Sequence, residues 1–303
     1  MAGGPVGPGA ALVVLRYYIA QLNNLEYVFF KKAYVFMALE QNEALRQLNP
    51  FLELNINHVC RGSFDYHAIN VFPVNILSVT LADDGGATYA ENLDGGQTFP
   101  SRQGDVSLLP CGLRLRHEVW PGHRFISLHF NLTFLSGPDV FSGCKSGVAR
   151  HDPELVARID ALFDEPDRLK AICELKAEVL RFCASCWPAG LGQLTPSVRR
   201  HEPIFRHVRE HGNAALSVKA LAAVAGQRQD VFSRAFSRDV GKSPKKFLQE
   251  ELLKKINARL LAPETSVKQV AAELRFCSEF HLSHFFKRHV GLSPSAYQRQ
   301  FRR

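Results

Sequence analysis

Asp230, Ser233, Arg234, Ser237 and Arg238 recur at helical spacing in one stretch of this 303-residue chain, and Glu279, Ser283, His284 and Lys287 recur likewise in another. Guanidinium forks, an imidazole, hydroxyls and carboxylates arrayed along one helical face suit hydrogen bonding to a polyanion and to the edges of stacked bases. Phe280 falls close to the second set, where an aromatic edge could meet a thymine methyl group. Two other groups invite chemistry. His117, His123 and His129 lie six apart, an even separation that would place them on one face of a strand, although Pro121-Gly122 breaks that register. Cys183 and Cys186 form a single CxxC with no second pair, which reads as core packing rather than zinc or redox chemistry.

The two polar faces sit in nearly repeated sentences: SVKALAAVAGQRQDVFSRAFSRDVGKSP from Ser217 and SVKQVAAELRFCSEFHLSHFFKRHVGLSP from Ser266. In the first, Ser217 can cap a helix whose apolar face is Val218, Leu221, Ala222 and Ala225, and Gly226 closes it. A second helix is predicted over Gln229 to Asp239, with an apolar stripe of Val231, Phe232, Ala235, Phe236 and Val240. The second copy repeats the plan, with Val267, Val270, Ala271 and Leu274 and then Phe280, Leu282, Phe285, Phe286 and Val290. The copies align at an offset of 49 and then 50, and both end Gly-x-Ser-Pro. Each reads as a helix-turn-helix. Between them Phe247, Leu252, Ile256 and Leu260 keep a helical period for about 16 residues, a rod of roughly 24 Å. Such a rod could hold two reading heads on one duplex, whose major-groove faces recur about every 34 Å. A repeated helical bundle that binds protein is the bland alternative, but a solenoid would continue past two units.

Charge supports the first reading. Residues 199–303 carry 21 Lys and Arg against 9 Asp and Glu, whereas residues 1–198 carry 16 against 20. A basic module fused to a mildly acidic one points to a polyanion met by the C-terminal part alone. The 46% hydrophobic and 22% charged content is that of a folded protein. No apolar run reaches the ~18 residues of a membrane span, and seven scattered cysteines fit a reducing cytoplasm. Residues 1–36 read as a loosely held extension, from an upstream start, within an N-terminal segment of 1–50 that is partly disordered or helical.

From 51 to 150 the texture is β: NVFPVNILSVTLA and FISLHFNLTFL, punctuated by Asp83-Asp84-Gly85-Gly86 and Asp94-Gly95-Gly96 turns. Six to eight short strands suggest a barrel or jelly roll. Residues 151–187 turn helical, and Ile172, Leu175, Val179, Phe182 and Cys186 form a narrow seam that suits either a coiled coil or packing on the chain's own barrel. Residues 188–203 are rich in Pro and Gly and read as a linker, and 204–303 as the DNA-binding part. The predicted fold class is α+β in two domains: an N-terminal cupin-like β-barrel with following helices, then an all-α tandem helix-turn-helix.

From about Glu202 to Arg303 the sequence resembles the AraC/XylS-type transcriptional regulators, most specifically in VKQVAAELRF and LSHFFKRHVGLSPSAYQRQFR, with Phe285-Phe286-Lys287-Arg288, Gly291, Ser293-Pro294 and Tyr297. The family usually has Gly where Arg275 stands, so this Arg must take an uncommon backbone or shift the turn. The resemblance implies that bases are met by Arg228, Gln229, Asp230, Ser233 and Arg234 in the first unit, and by Ser278, Glu279, His281, Ser283 and His284 in the second. It assigns phosphates to Arg238, Lys245, Lys246, Lys287 and Arg288. It implies double-stranded DNA, a small-molecule effector, RNA polymerase and a second copy of the chain as partners, with no membrane, no cofactor and no enzymatic activity.

GDVSLLPCG (Gly104–Gly112) fits G-x5-P-x-G, part of the second cupin motif, and such barrels commonly hold the effector in this family. Metal-dependent cupins carry a His-x-His cluster. It is missing here, and His117 lies two residues beyond the expected spacing, so no metal is expected. Arg114, Arg116, His117, Glu118 and Trp120 are candidates to line the effector pocket, with Trp120 suited to a sugar face. The alternatives are a cupin-type metalloenzyme with a DNA-binding appendage, and an architectural DNA-binding protein.

Overall fold

The computed structural model describes residues 52–85, 87–135, 137–187 and 196–301. The expected N-terminal extension, 1–50, and residues 188–195 of the expected linker lie outside the described residues. Among the described residues nine strands come first: β1 (Leu52–Gly62), β2 (Tyr66–Val71), β3 (Asn75–Ala82), β4 (Tyr89–Asn92), β5 (Gln97–Pro100), β6 (Asp105–Leu109), β7 (Arg114–Val119), β8 (Arg124–Phe134) and β9 (Val148–His151). They pair antiparallel in two sheets, ordered β1-β8-β3-β6-β9 and β2-β7-β4-β5. Asp94-Gly95-Gly96 makes the β4–β5 turn as predicted, with Gly96 at φ 67°.

The two sheets face each other across a lumen, and two helices cover the outside of the five-stranded sheet. These are α1 (Pro153–Ala161), capped by Asp152, and α2 (Arg168–Ser185). β8 is therefore buried on both faces almost throughout. Phe125, Ser127 and His129 point into the lumen, while Ile126, Leu128, Phe130 and Leu132 pack with Leu175, Val179, Phe182 and Cys183. Most of the α2 seam thus packs on its own barrel. Leu169, Ile172 and Leu180 remain on the exposed side of the helix.

The C-terminal part is helical: α3 (Pro196–Arg199), α4 (Glu202–His211), α5 (Val218–Val224), α6 (Gln229–Val240), α7 (Pro244–Leu261), α8 (Val267–Glu273), α9 (Glu279–Val290) and α10 (Pro294–Phe301). The end of the expected linker is therefore helical: α3 lies within it, and α4 starts at Glu202, where Pro203 in the first turn suits a helix start. The caps fall where the sequence puts them. Ser217, Ser243 and Ser266 accept from the third residue of their helices, and Gly241 and Gly291 close α6 and α9 in left-handed backbone. The connecting rod α7 runs 18 residues, about 27 Å.

The two helix-turn-helix units are packed differently. The first (α5–α6) rests on an aromatic core of its own, Phe205, Phe232, Phe236 and Phe247, with ring centroids 5.4–6.0 Å apart. The second (α8–α9) shares one continuous core with the barrel, running from Leu282, Phe286, Tyr297 and Phe301 to Tyr66, Phe72, Ile76 and Leu115. Gly291, at the end of α9, presses on β2, where a Cβ would come within 2.8 Å of the Ile69 carbonyl oxygen. Arg209 of α4 also reaches Glu53 of β1 at 2.8 Å.

Candidate nucleic-acid interface

α6 and α9 each bury one stripe and present the other. Phe232 and Phe236 are buried in α6, and Leu282, Phe286 and Val290 in α9. The residues expected to read bases lie on the opposite side. Arg228, Gln229, Asp230, Arg234, Ser278, Glu279, His281 and His284 are exposed, and Ser233 and Ser283 are half-buried at the edge of the stripe. Neither outer face lies beneath the barrel. Val231, expected in the apolar stripe, is instead 43% exposed, and Phe280 in the second unit is 78% exposed. Each outer face therefore carries one exposed apolar group near its N-terminal end, Val231 at the third residue of α6 and Phe280 at the second of α9.

Within the first unit Asp230 organises the arginines: Arg228 Nε lies 3.3 Å and Arg234 Nη2 3.4 Å from its carboxylate. These exposed, long ion pairs cost little to exchange for another acceptor. In the second unit Ser278 caps α9 by accepting from His281 N, and His281 Nδ1 lies 3.0 Å from the Cys277 thiol. Lys245, Lys246, Lys287, Arg288 and Arg238 are expected to meet phosphates, and all five are exposed. Arg238 is already paired with Asp239 at 3.0 Å, which also holds His201, so it starts with a competing partner.

The turns before the two reading helices are alike in bonding. Gly226 N and Gln227 N donate to the Ala223 and Ala222 carbonyls, and Arg275 N and Phe276 N donate to those of Ala272 and Ala271. Gly226 has φ 63° and Arg275 φ 55°. Of the two outcomes expected for Arg275, the chain takes the uncommon backbone and keeps the turn. A non-glycine residue there costs about 1–2 kcal/mol. Glycine returns part of that through the unfolded chain. Arg275→Gly is therefore expected to raise stability by roughly 0.5–1 kcal/mol, read as a higher urea midpoint. The mirror change, Gly226→Ala, meets no atom within 4 Å and should lose about 1 kcal/mol from backbone strain alone.

Residues 221–300 match the family model described as "Helix-turn-helix domain". The C-terminal region is an AraC-type helix-turn-helix domain. A curated relative, an uncharacterized HTH-type transcriptional regulator from Haemophilus influenzae, is 33% identical over 82 residues, 27% of this chain. The chain thus covers only 28% of that relative's length. Over 82% of its length the chain has a fold similar to that of ToxT from Vibrio cholerae. A single-residue variant of ToxT in its apo form superposes with TM-score 0.56 at 11% identity over 82% of this chain and 97% of that one. Unsaturated fatty acid-bound wild-type ToxT superposes with TM-score 0.53 at 11% identity over 83% and 96%. The N-terminal barrel and following helices therefore share a fold with a protein whose C-terminal part is also arranged as here.

Two cavities adjoin the AraC-type domain. The barrel lumen leaves about 70 Å³, lined by Tyr66, Phe72, Phe99, His117, His123 and His129 among others, and Phe301 of α10 projects into it. A cleft of about 700 Å³ lies between the barrel and α6–α7 and α9, with Lys145, Lys242, Lys246 and Lys254 beside Val71, Phe72, Leu113, Leu253 and Val290. Of the expected effector residues only His117 lines either cavity. Strand alternation turns Arg114, Arg116 and Glu118 outward, where Arg116 pairs with Glu91 at 2.6 Å and Glu118 with His67 at 2.5 Å. Trp120 is 46% exposed and edges against His67, so the suggested sugar-stacking wall is not inside either cavity. Sequence reasoning missed the cleft and the place of Phe301. The signal for Phe301 was its position four residues after Tyr297, on one helical face.

All three spaced histidines meet in the lumen. The β7–β8 turn at Pro121-Gly122 does not scatter them, because β7 and β8 lie in facing sheets. Among the described residues, no group of three or more His, Cys, Asp or Glu is arranged to hold a metal ion. Burial pushes His117 down to about 4 and His129 to about 3, the latter also feeling His58 and His117. Both are therefore neutral in the fold at pH 7. Below about pH 6.5 the unfolded chain takes up protons that the folded chain refuses. Stability should fall as pH drops, by about 1.4 kcal/mol per histidine at about pH 5.5. His129→Phe should flatten the slope of unfolding free energy against pH between about 7 and 5.

Proposed function

We propose that this chain is an effector-responsive, sequence-specific DNA-binding transcription regulator, acting in the cytoplasm and without enzymatic activity. The observation that carries it is the pair of helices, α6 and α9, whose outer faces are exposed, polar and set in a basic region of the chain. The two units, joined by α7, would enter successive major-groove segments of one duplex. Arg228, Gln229, Asp230, Ser233, Arg234, Ser278, Glu279, His281, Ser283 and His284 read base edges, with Val231 and Phe280 against thymine methyls. Lys245, Lys246, Lys287, Arg288 and, after leaving Asp239, Arg238 hold phosphates. Selection of DNA from a random pool by the full chain tests this. Two short blocks about ten base pairs apart are expected; equal affinity for selected and random duplex at one salt concentration would instead mark an architectural protein.

The cleft is the effector site this reading favours. Lys242 and Lys254 are committed to Glu250 at 2.6 Å and Glu251 at 2.7 Å, which leaves the exposed Lys145 and Lys246 beside an apolar wall. That pairing suits an apolar molecule with an anionic head. Two ToxT structures hold an unsaturated fatty acid and a naphthalenyl butenoic acid, both carboxylic acids. An unsaturated fatty acid is expected to change the chain's DNA affinity, and Lys145→Ala should abolish that change. Dimerisation would use the exposed side of α2, Leu169, Ile172 and Leu180; Leu169→Glu should then shift the solution mass to the monomer. An activating role would bring RNA polymerase as a further partner.

A further inference from the structure

The barrel lumen has the walls of a ligand site and almost none of its room. Pockets for small molecules run to about 300–1,000 Å³, and even benzene needs about 150 Å³. The 70 Å³ left here would hold little more than water. What fills the space is a residue of the AraC-type domain. The Phe301 ring, at the end of α10, lies 5.3 Å from Tyr66, 5.5 Å from Phe72 and 6.0 Å from His129. Its backbone lies beside His58 of β1.

The lumen also carries polar groups that Phe301 cannot satisfy. His117 Nε2, His123 Nδ1 and His129 Nδ1 are buried with no hydrogen-bond partner, and all three side chains line the cavity. His123 and His129 are 2% and 1% exposed. Buried polar atoms are normally paired, and leaving one unpaired is unfavourable. An apolar chamber with unpaired, neutral imidazoles is complementary to an uncharged ring-sized molecule bearing one hydroxyl or carbonyl.

We propose that the barrel lumen is a binding site for a small uncharged aromatic or alicyclic alcohol or ketone, that Phe301 occupies it in the ligand's place, and that the two exclude one another. Ligand entry expels Phe301 and frees the last turn of α10. Tyr297 stays anchored, its hydroxyl donating to Asn257 Oδ1 at 2.6 Å, so the domain itself keeps its fold. The change reaches the second reading helix through a ring chain: Phe301 to Tyr297 at 4.7 Å, and Tyr297 to Phe286 of α9 at 5.3 Å. This site is separate from the lysine-lined cleft, and its test does not depend on DNA binding.

The probe is p-cresol, a ring with one neutral hydroxyl, with toluene and benzoate as comparisons. Calorimetry on the full chain should show F301A binding p-cresol at least about tenfold more tightly than the unmodified protein, because the competent, unplugged state no longer has to be populated first. Toluene should bind F301A more weakly than p-cresol, and benzoate not at all at neutral pH. Equal p-cresol affinity in F301A and the unmodified protein would overturn the exclusion. Toluene matching p-cresol would remove the role of the histidines. Hydrogen exchange on the unmodified chain covers the case in which F301A folds poorly. Millimolar p-cresol should speed exchange over residues 298–301 while leaving α6 unchanged; slowed or unaltered exchange at 298–301 sinks the proposal.

Discussion

Replacing Arg228 and Arg234 together by Ala should weaken binding to the selected DNA by about 2–5 kcal/mol while leaving unfolding within about 0.5 kcal/mol. Both side chains are more than three-quarters exposed, so no core contact is lost. Each pairs with Asp230, at 3.3 and 3.4 Å in open solvent, an arrangement worth little by itself. In the complex each can present a bidentate fork to guanine O6 and N7, worth about 1–3 kcal/mol of discrimination. The measurement is fluorescence anisotropy on three duplexes: the selected site, one with the first block scrambled, and one with the second block scrambled. The double variant should lose its preference for the first block and keep that for the second. Lys245→Ala should behave differently, weakening all three alike and lowering the salt dependence by about one counterion. If the double arginine variant also loses affinity uniformly, these residues hold phosphates and the first reading head lies elsewhere.

The largest expected effect on stability lies in the barrel, at Asp139. This carboxylate is 4% exposed and accepts from Asn75 Nδ2 at 2.9 Å, Asn131 Nδ2 at 3.3 Å, Leu132 N at 2.9 Å and Phe141 N at 2.9 Å. Asn75 in turn accepts from Cys111 N at 2.9 Å. One side chain thus ties together β3, β8, the segment after β8 and the approach to β7. Asp139→Ala leaves several buried donors without an acceptor, at a cost of about 3–5 kcal/mol. For a chain of this size that is a Tm drop on the order of 10 °C. Asp139→Asn keeps the shape and one acceptor oxygen and should lose clearly less. Asp139 also walls the cleft, so the Asn variant is the better one for following effector response. A Tm unchanged in Asp139→Ala would show that water replaces the carboxylate at no cost.

The helical part was legible because its determinants are local. A serine cap accepts a hydrogen bond three residues on, a glycine takes the left-handed turn, and an apolar stripe repeats within one helix. The near-repeated segments therefore announced two helix-turn-helix units and their outer faces, whereas for Arg275 the family resemblance left an uncommon backbone and a shifted turn both open, and the fold takes the first. The same local reasoning placed Asp152 and Pro153 at the start of α1.

The barrel shows where local reasoning stops. Alternation says that Arg114, Arg116 and Glu118 share a face and that His117 faces the other way, but not which face is inside; closure of two sheets on one another decided that. The α2 seam was equally suited to a partner helix or to β8, and the choice rested on which apolar surface lay within reach. The shared core of the second helix-turn-helix with the barrel, the lysine-lined cleft and the Phe301 ring in the lumen all join residues far apart along the chain. By itself the sequence determined the local conformations and the polyanion-suited chemistry of this protein, because hydrogen bonds and side-chain periods a few residues long specify them. Only the tertiary structure decided which surfaces are spent on internal packing and which cavities remain, because burial depends on what distant segments bring into contact.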